Sequence, residues 1–294
     1  MRRNSFTAIC QAMAQGGTRT PRIDLHMHST ASDGDFSPHE VLQRAEKQRL
    51  YAISLTDHDT VAGCRTILAY LQAKSSPVRF IPGVELTCQF QGMEYHLLGY
   101  QPDLEHQQLN KCLIELQHAR RERAFTIAEL LSEEAPTLLG AVQQLPAECS
   151  LGRRHLAKLL IQQGYSSSIH GAFEHFLKRP AISAIPKARL DLCEAIKLLA
   201  DAGGISSLAH PPEDISLESL HYLRSVGLNA LECEYPWPGK KRRQHCRELA
   251  RAAGLAISGG SDCHGAAPVA RSIGHCGINL VEFQQLFSTN LTIV

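Results

Sequence analysis

The chain has no excess of either charge: its 294 residues carry 30 lysines and arginines against 29 acids, a formal net charge of +1. No basic field exists to grip long nucleic acid nonspecifically. A DNA duplex is therefore not an expected partner, and an anionic substrate must be met by local arginines or metal ions. No stretch approaches the ~20 consecutive apolar residues of a membrane span, so no membrane partner is expected either. Neither a glycine-rich phosphate loop nor a dinucleotide fingerprint is present. Ten cysteines are scattered at positions 10, 64, 88, 112, 149, 193, 233, 246, 263 and 276, and none forms a CxxC pair. A chain this long needs no disulfide framework, so free thiols in a reducing cytoplasm are the expectation. No obligate protein partner is evident.

What is present is an alternation of short apolar runs with helical patterns. The hydrophobic content of 44% supports a substantial core and excludes a disordered or fibrous chain. Residues 1–20, MRRNSFTAICQAMAQGGTRT, lack a sustained apolar run and read as a flexible N-terminal extension. Strands are predicted at 23–28, 51–55, 78–81 and 94–100. Helices are predicted from Ser37-Pro38-His39-Glu40, a capping box with proline at the first helical position, and over 61–74. From 104 to 186 the pattern is helical without a convincing strand, which marks an inserted helical subdomain. Alternation returns with helices at 191–202, 217–226 and 240–253, and strands at 205–209, 230–233 and 256–258. Strands separated by helices indicate an α/β chain of βα units and a parallel sheet of about seven strands, divided between residues 21–103 and 187–294.

The chemistry gathers at the strand ends. His26 and His28, in IDLHMHSTASDG, project from one face of a strand because side chains alternate with period two. His58, Glu85, His96, His210, Asp262 and His264 lie within or just after other predicted strands, and Asp33 lies in the first loop. In a βα barrel such ends converge on one face. Six imidazoles and three carboxylates exceed one tetrahedral zinc site and suit two or three divalent ions, Mn²⁺ first, with Fe²⁺ or Zn²⁺ as alternatives. Each residue also has a plainer role open to it. His96 could be a hydrogen-bonded core histidine and Asp33 a turn residue. Asp57 and Asp59, which flank His58, could each be a ligand or a helix cap, Asp59 in particular the N-cap of the helix beginning near Val61. Cys263, between two candidate ligands, should point away by alternation.

The motifs DLHMHSTASDG, LTDHDT, PGVE, the YHLLGY histidine, LAHP and GSDCHG together resemble the PHP (polymerase and histidinol phosphatase) family of metal-dependent phosphoesterases. That resemblance implies a distorted (βα)₇ barrel with a trinuclear site. By similarity His26, His28, Glu85 and Asp262 would hold one metal, Asp33, His58 and His264 a second, and Glu85, His96 and His210 a third. All nine would be catalytic through the metals, with no serine or cysteine nucleophile needed.

Within the family the insertion resembles the subgroup of nucleoside 3′,5′-bisphosphate phosphatases and 5′→3′ exoribonucleases, carried by RRERAFTIAELL, LGRRHLAKLLIQQGY and AFEHFL. The insertion would then cap the substrate. Arg153 and His155 match a GRPH-like motif, and Arg123 matches an arginine before it. These three are candidate phosphate contacts, since guanidinium forks fit phosphate oxygens. A solvated helix face is the alternative for Arg123. The chain departs from the subgroup at Arg154, where proline is expected, in FLKRPAISAIP, and in AHPPED, which lacks a following arginine. The expected activity is removal of the 3′-phosphate of a bisphosphate such as pAp, or of nucleotides from the 5′ end of short RNA. The alternatives are a phosphatase for another phosphomonoester, such as histidinol phosphate, and a non-catalytic metal-binding module.

Overall fold

The structure is a computed structural model that describes residues 22–266 and 268–288; the expected extension, residues 1–20, lies outside them. Eight strands form one sheet: β1 (Ile23–Asp24), β2 (Ala52–Leu55), β3 (Arg79–Phe90), β4 (Met93–Tyr100), β5 (Leu190–Asp191), β6 (Ile205–Leu208), β7 (Ala230–Glu234) and β8 (Ala256–Gly259). Seven follow the path β1-β2-β3-β4-β6-β7-β8, and β5 pairs with β3. The sheet nearly closes on itself. Beyond β1 the chain stays extended but changes partner, with the Leu25 amide donating to Gly259 O at 3.1 Å and the His28 amide to Cys263 O at 2.9 Å. Gly260 permits this closure, because a Cβ there would lie 2.2 Å from the His26 nitrogen.

The helices follow the predicted pattern where capping chemistry is local. Helix α1 (Pro38–Lys47) starts with the capping box, Ser37 N donating to Glu40 Oε2 at 2.8 Å, and buries Val41, Leu42 and Ala45. Helix α2 (Ala62–Ala73) departs from expectation, because Asp59 is not its N-cap. Val61 occupies that position without a side-chain cap bond, and Asp59 is turned inward at φ +50°.

Strand direction also departs from expectation. β3 runs through Pro82-Gly83-Val84-Glu85 instead of ending near 81, then turns at Gln91 and Gly92, both at positive φ, into β4. β4 is antiparallel to both β3 and β6, so one βα unit is replaced by a hairpin. Apolar alternation is the same in either direction, which is why the sequence could not reveal it.

The insertion holds α3 (Gln107–Leu130), α4 (Leu138–Gln143), α5 (Arg153–Gln162), α6 (Ile169–Ala172), a π-helical turn at Phe173–Leu177, and α7 (Pro180–Ser183). It has a core of its own that includes Ile127, Leu138, Val142, Leu156 and Leu160. The first half of α3, through Leu109 and Leu113, packs instead into the barrel core. The barrel is completed by α8 (Leu192–Asp201), α9 (Leu217–Val226), α10 (Lys240–Ala253) and α11 (Leu280–Leu286). Among the described residues no helix is long and apolar enough to cross a membrane, and nine cysteines are free.

One buried ion pair ties α3 to the barrel. Arg120 Nε donates to Asp59 Oδ2 at 2.6 Å, its Nη2 to Thr87 Oγ1 at 2.8 Å and its Nη1 to Leu151 O at 3.1 Å. Asp59 also accepts from the Thr87 amide at 2.8 Å. Removing one partner strands a buried charge. Arg120→Ala should therefore destabilise the chain by about 3–5 kcal/mol in urea unfolding. Adding Asp59→Asn should recover part of the loss, and unchanged stability of the single variant would refute the strut.

Candidate metal centre

The nine sequence-predicted residues come together at one mouth of the barrel, around Glu85. His26 and His28 point inward from the chain after β1, while Met27 between them packs into the core with Cys263. Glu85 lies mid-strand in β3, buried, and both of its oxygens face imidazoles. Oε2 is 2.9 Å from His58 Nδ1, 3.3 Å from His28 Nε2 and 3.4 Å from His26 Nε2. Oε1 is 2.9 Å from His96 Nδ1 and 3.2 Å from His210 Nε2. Asp262 Oδ1 lies 3.1 Å from His28 Nε2 and 3.5 Å from His26 Nε2, and Asp33 Oδ1 lies 3.2 Å from His264 Nε2.

His210 and Asp262 adopt φ of +24° and +46°. Such backbone costs about 1–3 kcal/mol per residue and marks positions whose direction the surroundings impose.

The charges are mutually dependent. Burial opposes charge on every group, yet the two acids beside His28, Asp262 and Glu85, push its ring up to about 9. Burial likewise opposes charge on His96, and Glu85 pushes that ring up to about 9. Glu85 itself is held well below the usual carboxylate range, against burial, by His58, His96 and His26. Asp33 is held there by His264 and His58. His58 goes the other way, down to about 4, because burial and nearby His28 outweigh Glu85.

The arrangement fits divalent ions. His26 Nε2, His28 Nε2, Asp33 Oδ1, His58 Nδ1, Glu85 Oε2 and His96 Nδ1 are buried, yet none makes a hydrogen bond of acceptable geometry. Buried polar atoms are normally satisfied, so a set of unsatisfied imidazole nitrogens and carboxylate oxygens facing one another fits a cation site. Their ligand atoms fall within 4.8 Å of one another in four groups: His28, Asp33, His58 and His264; His26, His28 and Asp262; His26, Glu85 and His210; His58, Glu85 and His96. All nine residues are used. His28 joins the Asp33 group as well, which the similarity-based partition did not include.

Several functional neighbours were missed in the sequence. Glu232 on β7 accepts from His26 Nδ1 at 3.0 Å and from the His210 amide at 2.7 Å, aiming the Nε2 lone pair of His26 into the site. The available signal was an acid inside the apolar run NALECEY. Arg271 donates to Asp262 Oδ2 at 2.5 Å and lies 2.9 Å from His264 Nδ1. Asp57 is neither cap nor ligand. It accepts from Ser29 N at 2.7 Å and Ser32 Oγ at 2.6 Å, shaping the loop that carries Asp33.

The insertion and the residue that follows it, Lys187, supply cations beside this centre. Arg120, Arg123, Arg153 and Lys187 line a cavity of about 60 Å³ with Leu151 and Gly152. A Cβ on Gly152 would lie 4.0 Å from Asp33 Oδ2. Lys187 Nζ is 2.5 Å from Glu94 Oε1, itself 3.6 Å from His96 Nε2. Arg123 donates to Ile185 O and Ile182 O, and burial with nearby Arg153 holds its pKa below the ordinary value. Arg153 has no ion-pair partner among the described residues and lies 5.9 Å from the Phe173 ring centroid.

His155 departs from its expected place. Its Nδ1 accepts from the Gly152 amide at 3.1 Å and its Nε2 lies 3.3 Å from Cys149 Sγ, so both ring nitrogens are occupied within the insertion. A residue three positions into a helix folds back on the cap more readily than it reaches a ligand. Arg154, where the subgroup has proline, donates to Asp33 O at 3.1 Å and to Asp35 Oδ2 at 3.0 Å. Helix α5 thereby holds the Asp33 loop.

Since Glu232 fixes the His26 tautomer, Glu232→Gln should weaken metal binding by about 10- to 100-fold. Titration against a chelating indicator measures this, and unchanged affinity would refute the orienting role.

Comparison with known proteins agrees with this geometry. The model of the PHP domain matches residues 24–182. A 5′-3′ exoribonuclease Rnm of Escherichia coli strain K12 is 31% identical over 83% of this chain and 86% of its own. A 3′,5′-nucleoside bisphosphate phosphatase of Chromobacterium violaceum is 27% identical over 86% of this chain and 90% of its own. The crystal structure of a putative metal-dependent phosphoesterase from Bifidobacterium adolescentis superposes with a TM-score of 0.79 at 25% identity, over 92% of this chain and 97% of that one. The barrel, its ring of histidines and carboxylates and these relatives agree: the chain belongs to the PHP-domain family and is a metal-dependent phosphoesterase.

Proposed function

We infer that the enzyme hydrolyses the P–O3′ bond of a nucleotide carrying a 5′-phosphate, acting on nucleoside 3′,5′-bisphosphates and on the 5′ end of short RNA. One bond accounts for both substrates. Water adds to phosphorus, the P–O3′ bond breaks, and the 3′-oxygen leaves with a proton. The product is a nucleoside 5′-monophosphate plus either inorganic phosphate or a shortened RNA that again bears a 5′-phosphate. The observation that carries this reading is the cationic cavity of Arg123, Arg153 and Lys187 beside the metal centre. A second anionic group one nucleoside away from the attacked phosphorus would be met there.

The nine ligands His26, His28, Asp33, His58, Glu85, His96, His210, Asp262 and His264 would hold two or three divalent ions, with Mn²⁺ the candidate because imidazole and carboxylate are mixed. When bound, such ions supply an activated water and positive charge for the phosphoryl oxygens. Glu85 and Asp262 keep the surrounding rings oriented, and Glu232 directs His26. Arg271 neutralises Asp262 from outside. Arg153, whose guanidinium is not committed to a carboxylate, would bind the 5′-phosphate as a two-pronged donor.

With Mn²⁺ added, pAp and a 5′-phosphorylated oligoribonucleotide should be hydrolysed faster than a 5′-hydroxyl oligoribonucleotide or histidinol phosphate. Arg153→Ala should raise KM for the 5′-phosphorylated substrates roughly 10- to 100-fold, the loss of one charge-assisted contact. Clear histidinol phosphatase activity without turnover of pAp or RNA would refute the assignment. Equal loss on every substrate would remove Arg153 as the specificity contact.

A further inference from the structure

The segment between β7 and α10 carries Trp237, the chain's only tryptophan, with 54% of its surface exposed. Isolated exposed apolar residues are ordinary, but this indole is fixed at the edge of the metal centre. Its ring centroid lies 5.6 Å from that of His210 and 5.4 Å from that of Tyr235, and the Arg271 guanidinium sits 5.1 Å from its own centroid. Arg271 is in turn bound to Asp262 and beside His264. The ring is thus anchored through two groups of the metal site and still presents open surface to solvent.

Its position in the barrel is also informative. The cations reach the centre beside β3 and β4, where Arg120 meets Thr87 and Lys187 and Arg189 meet Glu94. In the order β1-β2-β3-β4-β6-β7-β8, closed through β1 and β8, β7 stands across the mouth from β3. A substrate with its 5′-phosphate on the cations and its scissile phosphorus at the centre would continue away from β3, on the side of the mouth where β7 lies. A bisphosphate ends at that phosphorus. An RNA continues, through the 5′-oxygen of its second nucleotide.

We propose that Trp237 is the stacking platform for the base of the second nucleotide of a 5′-phosphorylated RNA, and hence the residue that favours RNA over the mononucleotide. Stacking on an indole tolerates any base, as an exonuclease requires. The inference rests on the proposed activity, and the following experiment separates the two.

Because no other tryptophan is present, intrinsic fluorescence of the full-length metal-loaded enzyme reports Trp237 alone. A 5′-phosphorylated diribonucleotide with a methylene in place of the scissile 3′-oxygen should quench it on binding. The corresponding nucleoside 5′-phosphate 3′-methylenephosphonate should not. Trp237→Ala should lower the ratio of kcat/KM for the natural diribonucleotide to that for pAp by roughly 10-fold, through KM, and Trp237→Phe should restore most of it. Calorimetric binding of the dinucleotide analogue with unmoved emission, or equal loss on both substrates, would overturn the platform. Turnover of pAp alongside unmoved emission overturns the platform and keeps the activity. Quenching in a protein that hydrolyses neither substrate does the reverse.

Discussion

The structure is organised around a single buried carboxylate. Glu85 touches five imidazoles, three through Oε2 and two through Oε1, at distances of 2.9 to 3.4 Å. An isolated carboxylate in the barrel interior would be neutralised by protonation. Here the surrounding rings keep it ionised, while it and Asp262 draw protons onto some of those rings. Such charges compensate one another only together, and divalent cations held by these residues would take the place of the protons. The strained φ at His210 and Asp262 follows from the same demand, since each strand must turn sharply to face one point.

The insertion reaches the loops that carry the candidate ligands. Arg154 and Lys158 of α5 bind the carbonyls of the loop bearing Asp33, and Arg120 of α3 binds Asp59, next to His58. The surroundings of two candidate ligands, Asp33 and His58, are therefore fixed by helices that share a separate core. These contacts are short and partly buried, which ties the position of the helices to that of the Asp33 loop and of Asp59. Arg154, in place of the subgroup's proline, makes this coupling tighter by adding a charged contact to Asp35.

The parts legible in the sequence were those set by local rules. Period-two alternation separates His26 and His28 from Met27, and capping chemistry marks the start of α1. Strand ends signalled the remaining candidate ligands. Illegible were features that depend on which elements become neighbours. His96 was legible as a candidate ligand, but the direction of its strand was not: β4 is antiparallel, so the ring enters the site from mid-strand and not from a C-terminal end. Asp59 has a cap's sequence position but a positive φ that turns it toward Arg120, 61 residues further on. His155 matched a ligand motif, yet its two ring nitrogens found partners closer at hand. Glu232 and Arg271 act through other residues, and no spacing rule announces them.

The charge balance of the mouth bears on substrate length. Arg120 is committed to Asp59, Lys187 and Arg189 share Glu94, and two donor nitrogens of Arg123 are used on carbonyls. Of the cations at the mouth only Arg153 makes neither an ion pair nor a carbonyl hydrogen bond among the described residues, so its guanidinium is the one free to grip a terminal phosphate. A protein that tracks a long phosphate backbone needs a basic stripe and shows a steep dependence on salt. This mouth has no such stripe among the described residues of the cavity, in keeping with a net charge of only +1 for the whole chain. On the reading proposed for this enzyme, any preference for RNA over a mononucleotide must therefore come from uncharged contacts beyond the metal centre. A stacking surface on the far rim meets that requirement without attracting nucleic acid indiscriminately.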